Sequence, residues 1–222
     1  MNAPAAASPL PSLWPQGVAP PLKITDSLTL AIPRKYLRTA ISPDAPQRAL
    51  LSVQTDRAEA RFDFFWPDLG GYTLQNYRNE FDENRVEVVY LHAGNAHEAD
   101  ADAPGEYPPN VLRRLMPDLD ARAPRMLYGL ECYRGTVQSD RLTCYGRRSA
   151  DEDILLTVKV PPFAPADTFP MIQTRYYSRR YGGVRLAWRA HVKNFPRWHD
   201  IDGQIWKFID AWSVAQPAPP QH

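Results

Sequence analysis

The sequence predicts an α+β fold, with an antiparallel sheet or sheets and a long C-terminal amphipathic helix packed on the sheet. Short runs of alternating apolar and polar residues recur along the chain without a regular alternation of strands and helices, and the strongest helical pattern comes last. Of the 222 residues, 44% are hydrophobic and 23% are charged, which is the balance of a globular protein. We therefore expect a single domain over residues 23–215, a Pro/Ala-rich arm or linker at 1–22 and a disordered tail at 216–222.

The first half of the chain contains three strand patterns, at 28–32, 58–66 and 85–92. Pro33 follows the first pattern and fits the first turn of a short helix, where its missing N–H is not needed. The second pattern places three aromatic residues on one face and predicts a half-buried strand. In the third, Val86, Val88 and Tyr90 share one face and apolar residues also occupy the other. We expect this strand to be buried on both faces.

A polar segment at 94–109, rich in Asp, Glu and Pro, follows the third strand pattern. Long loops of this composition are either mobile or functional. Asn110 then fits the N-cap of a short helix that runs to residue 116.

The two cysteines, Cys132 and Cys144, lie in β-like runs at 126–133 and 141–145, which flank a turn-rich segment. In a hairpin centred on Gln138 the two side chains face each other, so a disulfide is geometrically reasonable. A disulfide would indicate an oxidising compartment. The alternative is a pair of buried free thiols, which are common in cytosolic cores.

The last third of the chain contains a strand pattern at 154–160, a hairpin pattern at 171–180 and 184–191 around two glycines, and the helix. Asn194 fits the N-cap of the helix and Pro196 its first turn, and the pattern ends near Ser213. Its apolar stripe recurs at three- and four-residue spacing and comprises Trp198, Ile201, Ile205, Phe208, Ile209 and Trp212. We expect this stripe to cover the sheet, and we place Asp202 on the opposite, polar side of the helix.

The formal net charge of +1 provides no global attraction to nucleic acid or to an anionic membrane. Local charge is uneven, because residues 76–106 hold eight acidic and two basic residues, whereas residues 171–197 hold seven basic residues and no acidic one. Without a functional role, the two segments would lie on different solvated faces or pair with each other. The functional alternative is a docking surface for a partner protein. The candidate partner-binding residues are Glu98, Asp100, Asp102, Arg175, Arg179, Arg185 and Arg189.

No catalytic, metal or cofactor motif is recognisable in the sequence. It lacks a glycine-rich phosphate loop, a Gly-x-Ser-x-Gly elbow, a Cys-x-x-Cys pair and a His-Glu-x-x-His helix. His199, Asp200 and Asp202 are metal-ligand types, but their helical spacing prevents convergence on one ion. We therefore predict no catalytic residue, no metal site and no cofactor.

The composition of the N-terminal arm provides evidence on the cellular compartment of the protein. It contains no basic segment followed by an apolar one, so no secretory signal is visible. Either the protein is cytoplasmic, or the arm once followed a removed signal or lipid anchor that would tether the protein to the membrane. We favour the second of these alternatives and expect a periplasmic protein.

Four segments carry a family resemblance: AIPRKYL at 31–37, FFWPDLGGYT at 64–73, YGLECY at 128–133 and RLAWRAHVKNFPRWHDIDGQIWKFIDAW at 185–212. This set resembles exported proteobacterial immunity-type proteins that accompany antibacterial effectors of type IV and type VI secretion. The resemblance implies a cognate effector as the partner and stoichiometric binding as the activity, without nucleic acid. The alternatives are an envelope or secretion-associated adaptor lipoprotein without an inhibitory role, and a hydrolase whose site the sequence hides.

Overall fold

A computed structural model describes residues 17–38, 58–79, 81–95, 107–137, 141–159 and 170–214. These residues form ten strands: β1 Leu22–Thr25, β2 Leu28–Leu30, β3 Glu59–Phe65, β4 Arg85–Ala93, β5 Leu119–Leu127, β6 Leu130–Gly135, β7 Arg141–Arg147, β8 Asp153–Lys159, β9 Met171–Ser178 and β10 Val184–His191. They also form two α-helices, α1 Pro108–Leu115 and α2 Trp198–Trp212, together with short 3₁₀ turns. Residues 1–16 of the predicted arm at 1–22, and the predicted tail at 216–222, lie outside the described residues. The end of that arm is described, and its last residue, Leu22, begins β1.

Strands β3 to β10 form one eight-stranded sheet in the order β3-β4-β10-β9-β8-β7-β6-β5, and β1 pairs with β2 separately. Every neighbouring pair in the large sheet is antiparallel. We call the face of this sheet that α2 covers the inner face and the opposite one the outer face. The arrangement confirms the α+β class and the antiparallel sheet that the alternation patterns predict.

Helix α2 packs its apolar stripe on the inner face. The Trp212 ring meets Phe62 edge-on at 4.9 Å, and Phe208 meets Phe64 edge-on at 5.2 Å. Trp188, at the centre of the inner face, is fully buried. Burial of these large rings stabilises the domain, because it removes a large apolar area from water.

The start of α2 differs from the prediction. Residues 192–197 form a 3₁₀ helix, and the α-helix begins only at Trp198. Pro196 lies inside the 3₁₀ segment rather than in the first α-helical turn, and Asn194 is not the N-cap. Its side chain instead donates to the Glu83 carbonyl at 2.9 Å, because the tighter turn aims it at the loop before β4.

Strand β4 departs from simple alternation through a β-bulge. Tyr90 pairs with Ala187 and Val88 with Trp188, so β4 has one more residue than β10 at this point. The extra residue moves Leu91, rather than Tyr90, into the core. Tyr90 therefore lies on the outer face, contrary to the face assigned from its alternation.

The run at 126–133 is not one strand. Tyr128 and Gly129 form a turn between β5 and β6, with positive φ values of 51° and 81°. Helix α1 also begins earlier than predicted, because Pro108 and Pro109 occupy its first turn, and Asn110 lies inside it instead of capping it. Pattern boundaries of this kind depend on turn geometry that periodicity does not encode.

Cys132 and Cys144 are directly opposite each other on β6 and β7 and form a disulfide. Both side chains lie in the core. The hairpin register centred on Gln138 is therefore confirmed, with a sequence separation of 12 residues between the cysteines.

Replacing both cysteines by alanine should lower the free energy of unfolding by about 3 kcal/mol, because the cross-link restricts the unfolded chain. Denaturant titration of the Cys132→Ala/Cys144→Ala variant against the parent measures this loss. The parent, denatured without reductant, should have no titratable thiol. Two reactive thiols would show that the disulfide does not form.

Candidate partner-binding surface

The outer face presents three arginines on adjacent strands. Arg185 and Arg189 on β10 alternate with buried inner-face residues, and Arg175 on β9 pairs with Ala187, midway between them. Side chains so placed on neighbouring strands are diagonal neighbours. We call Arg175, Arg185 and Arg189 the arginine face. The alternation in the sequence predicts this shared face correctly for the two β10 residues.

Strand β4 adds polar and aromatic groups beside the arginines. Tyr90 lies opposite Ala187 and His92 opposite Arg185, and the two rings are 5.1 Å apart. Arginine and tyrosine are the residue types most enriched at the centres of protein interfaces. The outer face therefore combines positive charge with partly exposed rings on a rigid strand scaffold.

Arg189 is held in place by Glu87 on the neighbouring strand. Its Nε and Nη2 donate to the two carboxylate oxygens at 2.9 and 3.0 Å, which is a bidentate geometry. Lys193 likewise donates to Glu83 at 2.9 Å. Part of the acidic segment thus pairs with part of the basic segment, which is one of the two alternatives left open by the sequence.

The other predicted site residues are distributed differently. Arg179 follows β9 and is exposed, beside a small recess lined by Tyr107, Asp153 and Tyr177. Glu98, Asp100 and Asp102 lie outside the described residues. The structure therefore places three of the four arginines on one face, whereas a role for the acidic residues stays a prediction.

A pocket of about 220 Å³ opens at one end of the arginine face. Its lining includes Arg38, Arg85, Glu87 and Arg189, and the Phe81 side chain on its rim is 64% exposed. Mixed charge beside an exposed ring suits a polar protein segment better than an apolar small molecule.

Behind this pocket lies a buried carboxyl group, Asp63, which pairs through the sheet register with Glu87. Asp63 is only 6% exposed, and the Tyr72 hydroxyl donates to its Oδ2. Burial raises the pKa of Asp63 to about 6, with a further increase from the negative charge of Glu87, while the Tyr72 hydrogen bond and Arg85 oppose the change. Burial also raises the pKa of Tyr72, so its hydroxyl remains a donor.

Asp63 should make the stability of the fold depend on pH. Its folded pKa of about 6 lies above the ordinary 3.8, so protonation favours the folded state. This stabilisation should be complete below pH 3.8 and lost as the pH rises through 6, by about 3 kcal/mol at about 1.4 kcal/mol per pKa unit. Denaturant titrations of the parent and Asp63→Asn between those pH values test this. A pH-independent difference between them would contradict it.

The inner face holds a polar network that the sequence patterns miss. Asp202 of α2, only 2% exposed, accepts from Tyr176 at 2.7 Å and Trp188 at 2.9 Å through Oδ1 and from Arg148 at 2.9 Å through Oδ2. The placement of Asp202 on the polar side of the helix is therefore wrong. A usable signal is its spacing, since it lies four residues after Trp198 and three before Ile205, within the stripe.

This network joins the helix to the sheet. Trp206 donates to the Tyr176 hydroxyl at 2.9 Å, and the Arg148 guanidinium lies 4.9 Å from the Trp206 ring centre. Within the described ranges, no group of three or more His, Cys, Asp or Glu side chains is arranged to hold a metal ion. In the same part of the chain, neither helix is long and apolar enough to span a membrane.

Comparison with known proteins gives one informative result. No family model and no curated protein matches the chain. A solved structure that does match is Smlt3025, an immunity protein of the Stenotrophomonas maltophilia type IV secretion system. Its TM-score is 0.58 at 11% sequence identity, over 89% of this chain and 94% of that one. The match shows a shared fold, and at that level it confirms the immunity-type resemblance carried by the sequence motifs.

Proposed function

We propose that this chain is an immunity protein that neutralises a cognate antibacterial effector by stoichiometric protein–protein binding. The observation that carries the proposal is the fold match with Smlt3025, which extends over 89% of this chain and 94% of the other. A fold can host unrelated activities, so the proposal also depends on the chemistry of the surface.

The arginine face is the surface that we assign to the effector. It lies on two adjacent strands of the large sheet, β9 and β10, so its backbone is already ordered before binding. Arg175 is exposed, and Arg189 is oriented by its bidentate pair with Glu87. Positive charge of this kind accelerates encounter with an acidic partner surface and selects against a basic one. The expected effector surface is therefore acidic.

The proposed site of action is the periplasm. The Cys132–Cys144 disulfide is compatible with an oxidising compartment. An effector delivered from outside the cell would meet an immunity protein there. We propose that the chain acts as a binding protein rather than as an enzyme.

Survival of a susceptible host tests the proposal. The effector candidate is the product of the reading frame beside the gene of this chain, directed to the periplasm. Co-expression of this chain with an added periplasmic export signal should restore growth. Co-expression of the same chain without that signal should not restore growth. If the effector kills equally in both strains, the immunity role is wrong.

A further inference from the structure

The turn that joins β5 and β6 is an unusual place for a large exposed side chain. Leu127 pairs with Leu130, so Tyr128 and Gly129 are the only loop residues between the strands. Both have positive φ, as in the type I′ turns that favour Asn-Gly at these positions. A bulky aromatic residue at the first position is disfavoured by contact between its Cβ and the backbone.

Tyr128 differs from the other positions of this kind. Among the described residues, three non-glycine residues have positive φ: Leu69, Tyr128 and Tyr181. Leu69 and Tyr181 pack against the hydrophobic core, and this packing offsets the cost of their backbone conformation. The side chain of Tyr128 is 53% exposed instead. Its ring touches the core at Phe195, but about half of the residue stays in contact with solvent. Strained backbone positions of this kind cluster at binding sites.

The turn is rigid as well as exposed. The Tyr128 ring meets Phe195 edge-on at 5.0 Å, and the Tyr128 carbonyl accepts a hydrogen bond from the Trp198 indole at 2.9 Å. The disulfide joins β6 to β7 just behind the turn. A binding element fixed in this way does not have to be ordered on association.

The shape of the turn indicates what it fits. Two residues make the narrowest hairpin loop, and a Cβ built at Gly129 would meet no atom within 4 Å, so the tip is open. Beside it, Met126 is 70% exposed and pairs with Glu131. The tip is therefore convex and carries an aromatic and a thioether side chain, which complement a concave apolar pocket.

We propose that the tip formed by Met126, Tyr128 and Gly129 inserts into an apolar cleft of the effector and anchors the complex. This inference rests on the proposed immunity function and adds a second, apolar contact to the arginine face. Register pairs connect Met126 to Glu131, Tyr145 and Leu155 across four strands, so its side chain lies on the outer face like the arginines. Three strands, β6, β7 and β8, separate the tip from β9, and helix α1 packs against β8 between the tip and the arginine face.

A Tyr128→Asn variant separates the anchoring role from a structural one. Asparagine is well suited to this backbone conformation, so the melting temperature should be unchanged or higher. The Kd for the purified product of the adjoining reading frame should rise at least 30-fold, which is typical for loss of an interface hot spot. The matched control is Val137→Asn, in the β6–β7 connection, where removal of an 80% exposed side chain should change neither quantity.

Each outcome decides between the two proposals. If the parent binds this effector and the Kd of the Tyr128→Asn variant is within threefold of the parent's Kd, the tip is not an anchor. The proposed immunity function would still stand in that case. A clearly lowered melting temperature would show that the ring serves the fold and would also overturn the inference. If the parent does not bind, the proposed function fails and this inference with it.

Discussion

Replacing Asp202 by alanine should destabilise the domain by about 3–5 kcal/mol, because three buried donors would lose their acceptor. The Arg148 guanidinium would keep the Glu152 carboxylate as its remaining acidic partner in this network. The Arg148 side chain is 8% exposed, and its Nε donates to Asp202. Trp188 and Tyr176 would lose an acceptor at the same time. Burial raises the pKa of Tyr176 well above its usual range, so its hydroxyl stays protonated and donates.

Chemical denaturation of the purified Asp202→Ala variant measures this loss. The matched control is Asp200→Ala on the same helix, where the carboxylate is half exposed and pairs with Arg197 at 2.7 Å. Surface pairs of this kind contribute at most about 1 kcal/mol. Equal losses in the two variants would show that the Asp202 network does not join α2 to the sheet.

Reversing two charges on the arginine face should slow association with the effector by about tenfold or more. Arg175→Glu/Arg185→Glu replaces an attractive field by a repulsive one, and the remaining binding should depend less on salt. The association rate, measured by stopped flow at low and high ionic strength, reports both effects. The matched control is Arg34→Glu/Lys207→Glu, which changes the net charge equally at exposed positions away from the outer face.

An association rate that falls equally in both double variants would indicate a general charge effect. In that case the arginine face is not the docking surface. A normal rate in the Arg175→Glu/Arg185→Glu variant would exclude this face directly.

Local periodicity predicts much of this fold. The alternation at 184–191 and the three- and four-residue spacing after Trp198 depend only on neighbouring residues. Both elements form, although α2 begins later than predicted, at Trp198. The Cys132–Cys144 pair follows from the symmetry of its hairpin. The bulge in β4 could not be predicted, because one extra residue in a strand with two apolar faces leaves no trace in the pattern.

Less of the candidate site than of the fold can be predicted from the sequence. Alternation places Arg185 and Arg189 on one face, but the bidentate pair with Glu87 depends on a register between strands about 100 residues apart. The turn at Tyr128 was missed because tyrosine is not a turn-forming residue. Asp202 was assigned to solvent by residue type, although its spacing puts it within the apolar stripe.

Titration of the effector with this chain tests stoichiometric neutralisation most directly. Purified effector, at a concentration well above the Kd, receives increasing amounts of the chain while its toxic activity and the mass of the complex are measured. Stoichiometric binding predicts that activity falls linearly to zero at a fixed molar ratio, with a complex of the corresponding mass. Full activity with no complex, or complete inactivation by a small fraction of an equivalent, would contradict it.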